Sequence, residues 1–129
     1  MKQKVILIGG GGHATSVLDV LLSTDQFEVV GFVDRDDSKK SLLGVPYLGE
    51  DSVLENSLDG VTCAVLGIGQ IDSPDLRIKI VEKLANWGYE FPVVVSPNAH
   101  VSSFSNLSRG TVVHHGAFIG PEVNIGAFA

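Results

Sequence analysis

The sequence is short of basic residues and sulfur, and it has no long, uniformly apolar run. Its single cysteine, Cys63, cannot form an internal disulfide. It lies in the apolar run VTCAVLGI and is read as a buried structural thiol, which suits a reducing, cytoplasmic setting. No stretch of eighteen apolar residues occurs, so no membrane-spanning helix is expected. No signal peptide is expected either, because glycines and β-branched residues follow Lys2 and Lys4 with no apolar h-region. Nine Lys and Arg stand against fifteen Asp and Glu, a net charge of −6, and no basic stripe gathers the cations. The electrostatic footprint of a nucleic-acid binder is therefore missing. No metal-ligand spacing is present, and no Ser/His/Asp set suggests a nucleophilic hydrolase.

What the chain does contain is alternation. KVILIG is a continuous β-branched apolar run, the pattern of a strand buried on both faces. Ala14, Val17, Leu18, Leu21 and Leu22 then recur at helical spacing, predicting a helix to about Ser23. EVVGFVD (28–34) and VTCAVLGI (61–68) read as a second and a third strand, with a short helix candidate at 50–56 between them. Ser73 and Pro74 open a helix carrying Leu76, Ile80, Val81 and Leu84, which stops near Trp87-Gly88, and FPVVVS reads as a fourth strand. Strands alternating with helices predict a parallel sheet wound in right-handed βαβ units over residues 1–95.

The first strand meets the first helix at Gly9-Gly10-Gly11-Gly12-His13-Ala14, which satisfies the G-x-G-x-x-A variant of the dinucleotide fingerprint. A helix N-terminus offers free N–H groups and the positive end of its dipole to a phosphate. Asp34 ends the second strand about where a ribose-binding acid is expected. A tight turn needing positive φ would use one or two glycines. Four imply room for a phosphate or diphosphate, and so a nucleotide. The α/β portion is closer to one mononucleotide half than to the larger sheet of ordinary NAD enzymes.

From Val101 the period changes. Val101, Leu107, Val113, Ile119 and Ile125 are aliphatic at every sixth position, and Ser105, Thr111, Ala117, Val123 and Ala129 follow each by four. Neither a helix nor an ordinary strand has that period, and a hexapeptide-repeat β-helix of the left-handed kind does. Residues 96–129 are thus expected to form its first coils, incomplete because the chain stops in its fifth frame. Such arrays need several coils and a cap, so the chain is read as a fragment of a longer protein.

Taken in order, IGGGGHA (8–14), GFVDRDD (31–37), GVPYLG (44–49), GIGQIDSPDLRIKI (67–80), SPNAHVS (96–102) and the hexapeptide frames resemble the PglD/NeuD-like sugar acetyltransferases. These pair a Rossmann-like nucleotide-sugar domain with a left-handed β-helix. The resemblance implies a nucleotide-linked amino sugar, commonly a UDP-4-amino sugar, contacted by Gly11, Gly12, His13, Asp34, Arg35 and Gly69. It also implies acetyl-CoA as co-substrate, surface-glycan synthesis and a homotrimer when complete, with the fragment itself inactive. Catalysis in the family is by a histidine acting as general base, with direct attack on the thioester. That histidine is expected beyond residue 129, since His114 and His115 sit one coil too early and read as coil-surface residues. Gln70, where the family has Asn or Asp, and Arg35, where some members have a second acid, are departures that bear on base and sugar preference. A sialic acid O-acetyltransferase is a close alternative. More distant ones are an NAD-binding oxidoreductase domain, on the strength of the glycine turn and Asp34, and a non-enzymatic nucleotide-sensing module.

Overall fold

The computed structural model describes residues 2–56, 60–68 and 74–129. Val5 to Ile8 is apolar at every position because β1 (Gln3–Ile8) is covered on both faces, with these four residues 0–2% exposed. β2 (Phe27–Val33) lies parallel on one side of β1, and β5 (Cys63–Leu66) lies parallel on the other. β3 (Ser41–Leu42) and β4 (Val45–Gly49) form a hairpin outside β2, giving the order β3-β4-β2-β1-β5. Among the described residues only the β3–β4 pair is antiparallel, and its two-residue connection, Leu43-Gly44, takes the positive φ values such a turn requires.

Alternate side chains of β1 go to opposite cores. Val5 and Leu7 join α1 (Gly12–Ser23), while Ile6 and Ile8 join α2 (Pro74–Asn86) through Ile80 and Leu84. Each fully buried Val or Leu contributes about 1.5–3 kcal/mol relative to exposure. α2 begins on Pro74 with Asp75 in its first turn. It ends where Gly88 takes φ +91°: the Gly88 N–H donates to Ala85 and the Tyr89 N–H to Leu84, a Schellman closure. The helix expected near residues 50–56 is a 3₁₀ turn, Asp51–Glu55. Ser73, expected as the cap of α2, lies outside the described residues.

The second half is built from six two-residue strands: β6 (Val94–Val95), β7 (His100–Val101), β8 (Asn106–Leu107), β9 (Val112–Val113), β10 (Phe118–Ile119) and β11 (Asn124–Ile125). Each of the first three pairs in parallel with the strand eighteen residues later, β6 with β9, β7 with β10 and β8 with β11. Eighteen residues is three hexapeptides, one turn of a β-helix. The chain therefore joins a Rossmann-like sheet to the start of a parallel β-helix.

One strand departs from the sequence reading. FPVVVS does form a strand, β6, but that strand pairs with β9 in the coil instead of extending the parallel sheet. The sheet edge beside β5 is met only at Glu90, bridged to Cys63. The coil's first face also explains a second difference. Val94 is fully buried against α1, with Val112 packed on the same core, so α1 is held between sheet and coil. Val20 is accordingly 0% exposed, whereas Leu22, assigned to the apolar face by spacing, is 51% exposed.

Candidate functional site

The carboxyl ends of β1, β2 and β5 open into a cavity of about 280 Å³. Gly9 to His13 form one wall, with Asp34 and Arg35 from the end of β2 beside them. Five of the expected site residues (Gly11, Gly12, His13, Asp34 and Arg35) thus come together here, while Gly69 lies outside the described residues. Ile68, Leu76 and Ile80 supply an apolar wall, which accounts for Leu76 being 40% exposed on an otherwise core-facing stripe.

The glycines of the turn are needed for different reasons. Gly9 takes φ +112°, and its N–H donates to the Val33 carbonyl at 2.8 Å, so its backbone needs glycine. At Gly10 a Cβ would come within 2.8 Å of the Phe32 ring. Gly11 and Gly12 have no such neighbour among the described residues: a Cβ on either meets none of their atoms within 4 Å. Gly11 sits at φ −88°, ψ −162°, an ordinary extended conformation. Nothing among the described residues requires these two to be glycine, and the space above them opens to the cavity.

α1 starts at this point with no side-chain cap on Gly11 and no acidic residue in its first turn. The opening N–H groups of a helix have no intrahelical acceptors, and the dipole is positive there. Lys39 reaches back from the loop after β2 to place its Nζ 3.0 Å from the Gly10 carbonyl, adding a full positive charge beside the turn. The same loop is shaped by local turns. The Asp36 N–H donates to Asp34 Oδ1 at 3.3 Å, and the Ser38 N–H donates to Asp36 Oδ1 at 2.9 Å. Ser38, through its amide and then its hydroxyl, holds the Asp36 carboxyl below its ordinary pKa. The Tyr47 hydroxyl donates to the Asp34 carbonyl at 2.9 Å and steadies the strand end that carries the acid. Among the described residues no group of three or more His, Cys, Asp or Glu could hold a metal ion.

His115 is exposed, as expected of a coil-surface residue, and His114 is half-buried. His114 and His115 follow β9, on the coil face that packs against α1, so they lie at the junction with α1. His115 Nε2 is 3.3 Å from Asp19 on α1, and its Nδ1 shares a hydrogen bond with the Ser96 hydroxyl. The His114 ring lies 6.1 Å from that of His13, at the mouth of the glycine turn. Burial, then the neighbouring His13 and His115, keeps the His114 pKa below the ordinary histidine value. The unfolded chain therefore takes up this proton first as pH falls. His114's contribution is intact above about pH 6.5 and declines as pH drops through the lowered folded pKa. Thermal denaturation should show a smaller loss of Tm between about pH 7 and about pH 5 in His114→Leu than in the unsubstituted protein.

Residues 4–84 match the family described as the PglD N-terminal domain. The chain belongs to that family. Among solved structures, a histidine-to-asparagine variant of perosamine N-acetyltransferase from Caulobacter crescentus, in complex with CoA and GDP-perosamine, has a TM-score of 0.86 and 32% identity. The match covers 97% of this chain and 58% of that one. The acetyltransferase domain of PglB from Neisseria gonorrhoeae FA1090, in complex with acetyl coenzyme A, gives 0.84 and 27%, over 99% of this chain and 60% of that one. The chain thus spans less than two thirds of these transferases. UDP-D-quinovosamine 4-dehydrogenase from Vibrio fischeri, at 22% identity and a TM-score of 0.56, shares the fold alone. No curated protein sequence matches. The family match spans the glycine turn, and the likeness to the two transferases extends through the coils.

Sequence reasoning missed Lys39 and Asp51. Lys39 lies in a charged loop whose path back to Gly10 cannot be read from spacing. Asp51 lines the cavity from the first residue of the 3₁₀ turn and is paired with Lys83 at 2.7 Å. An acid in the first turn of a helix is so common that it gives no local signal.

Proposed function

We propose that the chain is the nucleotide-sugar-binding portion of an acetyl-CoA-dependent N-acetyltransferase acting on a nucleotide-linked amino sugar for surface-glycan synthesis. One observation carries this reading: the open space above Gly11 and Gly12, at an uncapped helix N-terminus beside Asp34. The diphosphate sits on the first N–H groups of α1 with His13 and Lys39 nearby, and Asp34 accepts from a ribose hydroxyl. This end holds the substrate while the amino sugar projects from the cleft. Acetyl-CoA supplies the thioester that the sugar amine attacks, a neutral imidazole taking the proton. His115 is not assigned that role, because Asp19 and Ser96 already engage both of its ring nitrogens. The base is placed outside residues 1–129, and the complete enzyme is read as a homotrimer. The N-acetyl chemistry of the related transferases favours a nitrogen acceptor over a sialic acid hydroxyl. Calorimetry with GDP, UDP and NAD tests the reading. Saturable diphosphate binding, weakened about tenfold or more by Asp34→Ala, is expected for a lost charge-assisted hydrogen bond. Binding of NAD with both diphosphates silent would move the assignment to an oxidoreductase.

A further inference from the structure

The strand order lays out three positions along one edge of the sheet. The glycine turn follows β1, Asp34 follows β2, and Asp51 stands just past β4, two residues beyond Gly49, whose carbonyl accepts from the Asp34 N–H at 3.0 Å. Successive strands are about 4.8 Å apart, so these positions advance in steps of that size. A nucleotide presents diphosphate, ribose and base in the same order. The same cavity has an apolar lining of Val33, Ile68, Leu76 and Ile80, and Asp51 lines it as well. Its carboxylate is 21% exposed and is fixed from behind by Lys83, whose Nζ lies 2.7 Å from Oδ2 and 5.7 Å from the centre of the Trp87 ring. This ion pair orients the carboxylate within the apolar-lined slot.

We infer that this slot takes the nucleotide base and that Asp51 selects guanine. The inference rests on the nucleotide reading of the site and adds the identity of the base. A carboxylate offers only acceptors. Guanine meets it with two adjacent donors, N1–H and the 2-amino group. Uracil has a single N3–H between two carbonyl oxygens, which a carboxylate repels. Adenine and cytosine each set one amino donor beside a bare acceptor nitrogen. Selection therefore runs against the UDP-linked substrate that family resemblance implies. Lys83 is a positioning residue here, acting through Asp51.

The test titrates the 129-residue chain with GDP, inosine diphosphate, UDP and xanthosine diphosphate, before and after Asp51→Asn. Inosine diphosphate lacks only the 2-amino group, so GDP should bind about tenfold or more tighter in the unsubstituted protein, as a hydrogen bond to a charged group dictates. Asp51→Asn should erase that ratio and gain affinity for xanthosine diphosphate, whose C2 carbonyl requires a donor. A gain of binding cannot come from misfolding. UDP binding as tightly as GDP, or a GDP-to-inosine ratio unchanged by Asp51→Asn, overturns the assignment of guanine while leaving the nucleotide site standing. Binding by none of the four diphosphates removes the nucleotide reading and this assignment with it.

Discussion

Gly12→Asp abolishes binding of a nucleoside diphosphate, while the protein melts at the same temperature or slightly higher. The two effects separate because a Cβ at Gly12 meets no atom of the described residues within 4 Å. Gly12 opens α1, where replacing glycine restricts the unfolded chain and an acid interacts favourably with the helix dipole. Each effect is worth a few tenths to about 1 kcal/mol. The new carboxylate occupies the space in which the account places the diphosphate and repels its charge. Loss of affinity should exceed about 100-fold, since sterics, charge and the lost N–H contacts act together. Calorimetry and thermal denaturation of one preparation read both effects. A variant that still binds would place the ligand elsewhere.

Gly67→Val instead lowers the stability of the fold. A Cβ at Gly67 would lie 2.8 Å from Ala14 Cα and 2.9 Å from Ala14 Cβ, with Leu7 Cδ1 at 3.1 Å. The nearest atom is helix backbone, so relief requires α1 to move off the sheet. Overpacking of that kind costs about 2 kcal/mol or more, a drop in Tm of roughly 6–10 °C for a chain of this size. Gly67 and Ala14 are the contact that lets α1 begin close against β1 and β5, and the helix N-terminus is aimed into the cavity by it. Circular dichroism melts check this directly, and a Tm unchanged from that of the unsubstituted protein would show that α1 has slack at this point.

The contrast between these glycines marks how far the sequence could be read. That four glycines exceed what a backbone turn requires was legible in the sequence. Which of them the turn itself requires was not. Gly9 answers to its own φ and Gly10 to the Phe32 ring, and only packing separates them from Gly11 and Gly12. The coils were legible because a six-residue period belongs to no other element, and the pairings of Val94 with Val112, His100 with Phe118 and Asn106 with Asn124 repeat it three frames apart. FPVVVS was legible as a strand but not as a coil strand, since an apolar β-branched run looks the same in either sheet. His114 and His115 read as coil surface because nothing in their frame announces that α1 packs on that face. Asp51 depends on a side chain from α2, more than thirty positions away in sequence.

The most direct test of a diphosphate seated on the glycine turn is an amide chemical-shift titration of the isotope-labelled chain with a nucleoside diphosphate. Saturable shifts centred on the N–H groups of Gly11, Gly12 and His13 are expected, with Asp34 and Asp51 responding at the same midpoint. Shifts confined to the other large cavity, between α2 and the coil beside Arg77 and Arg109, would contradict it.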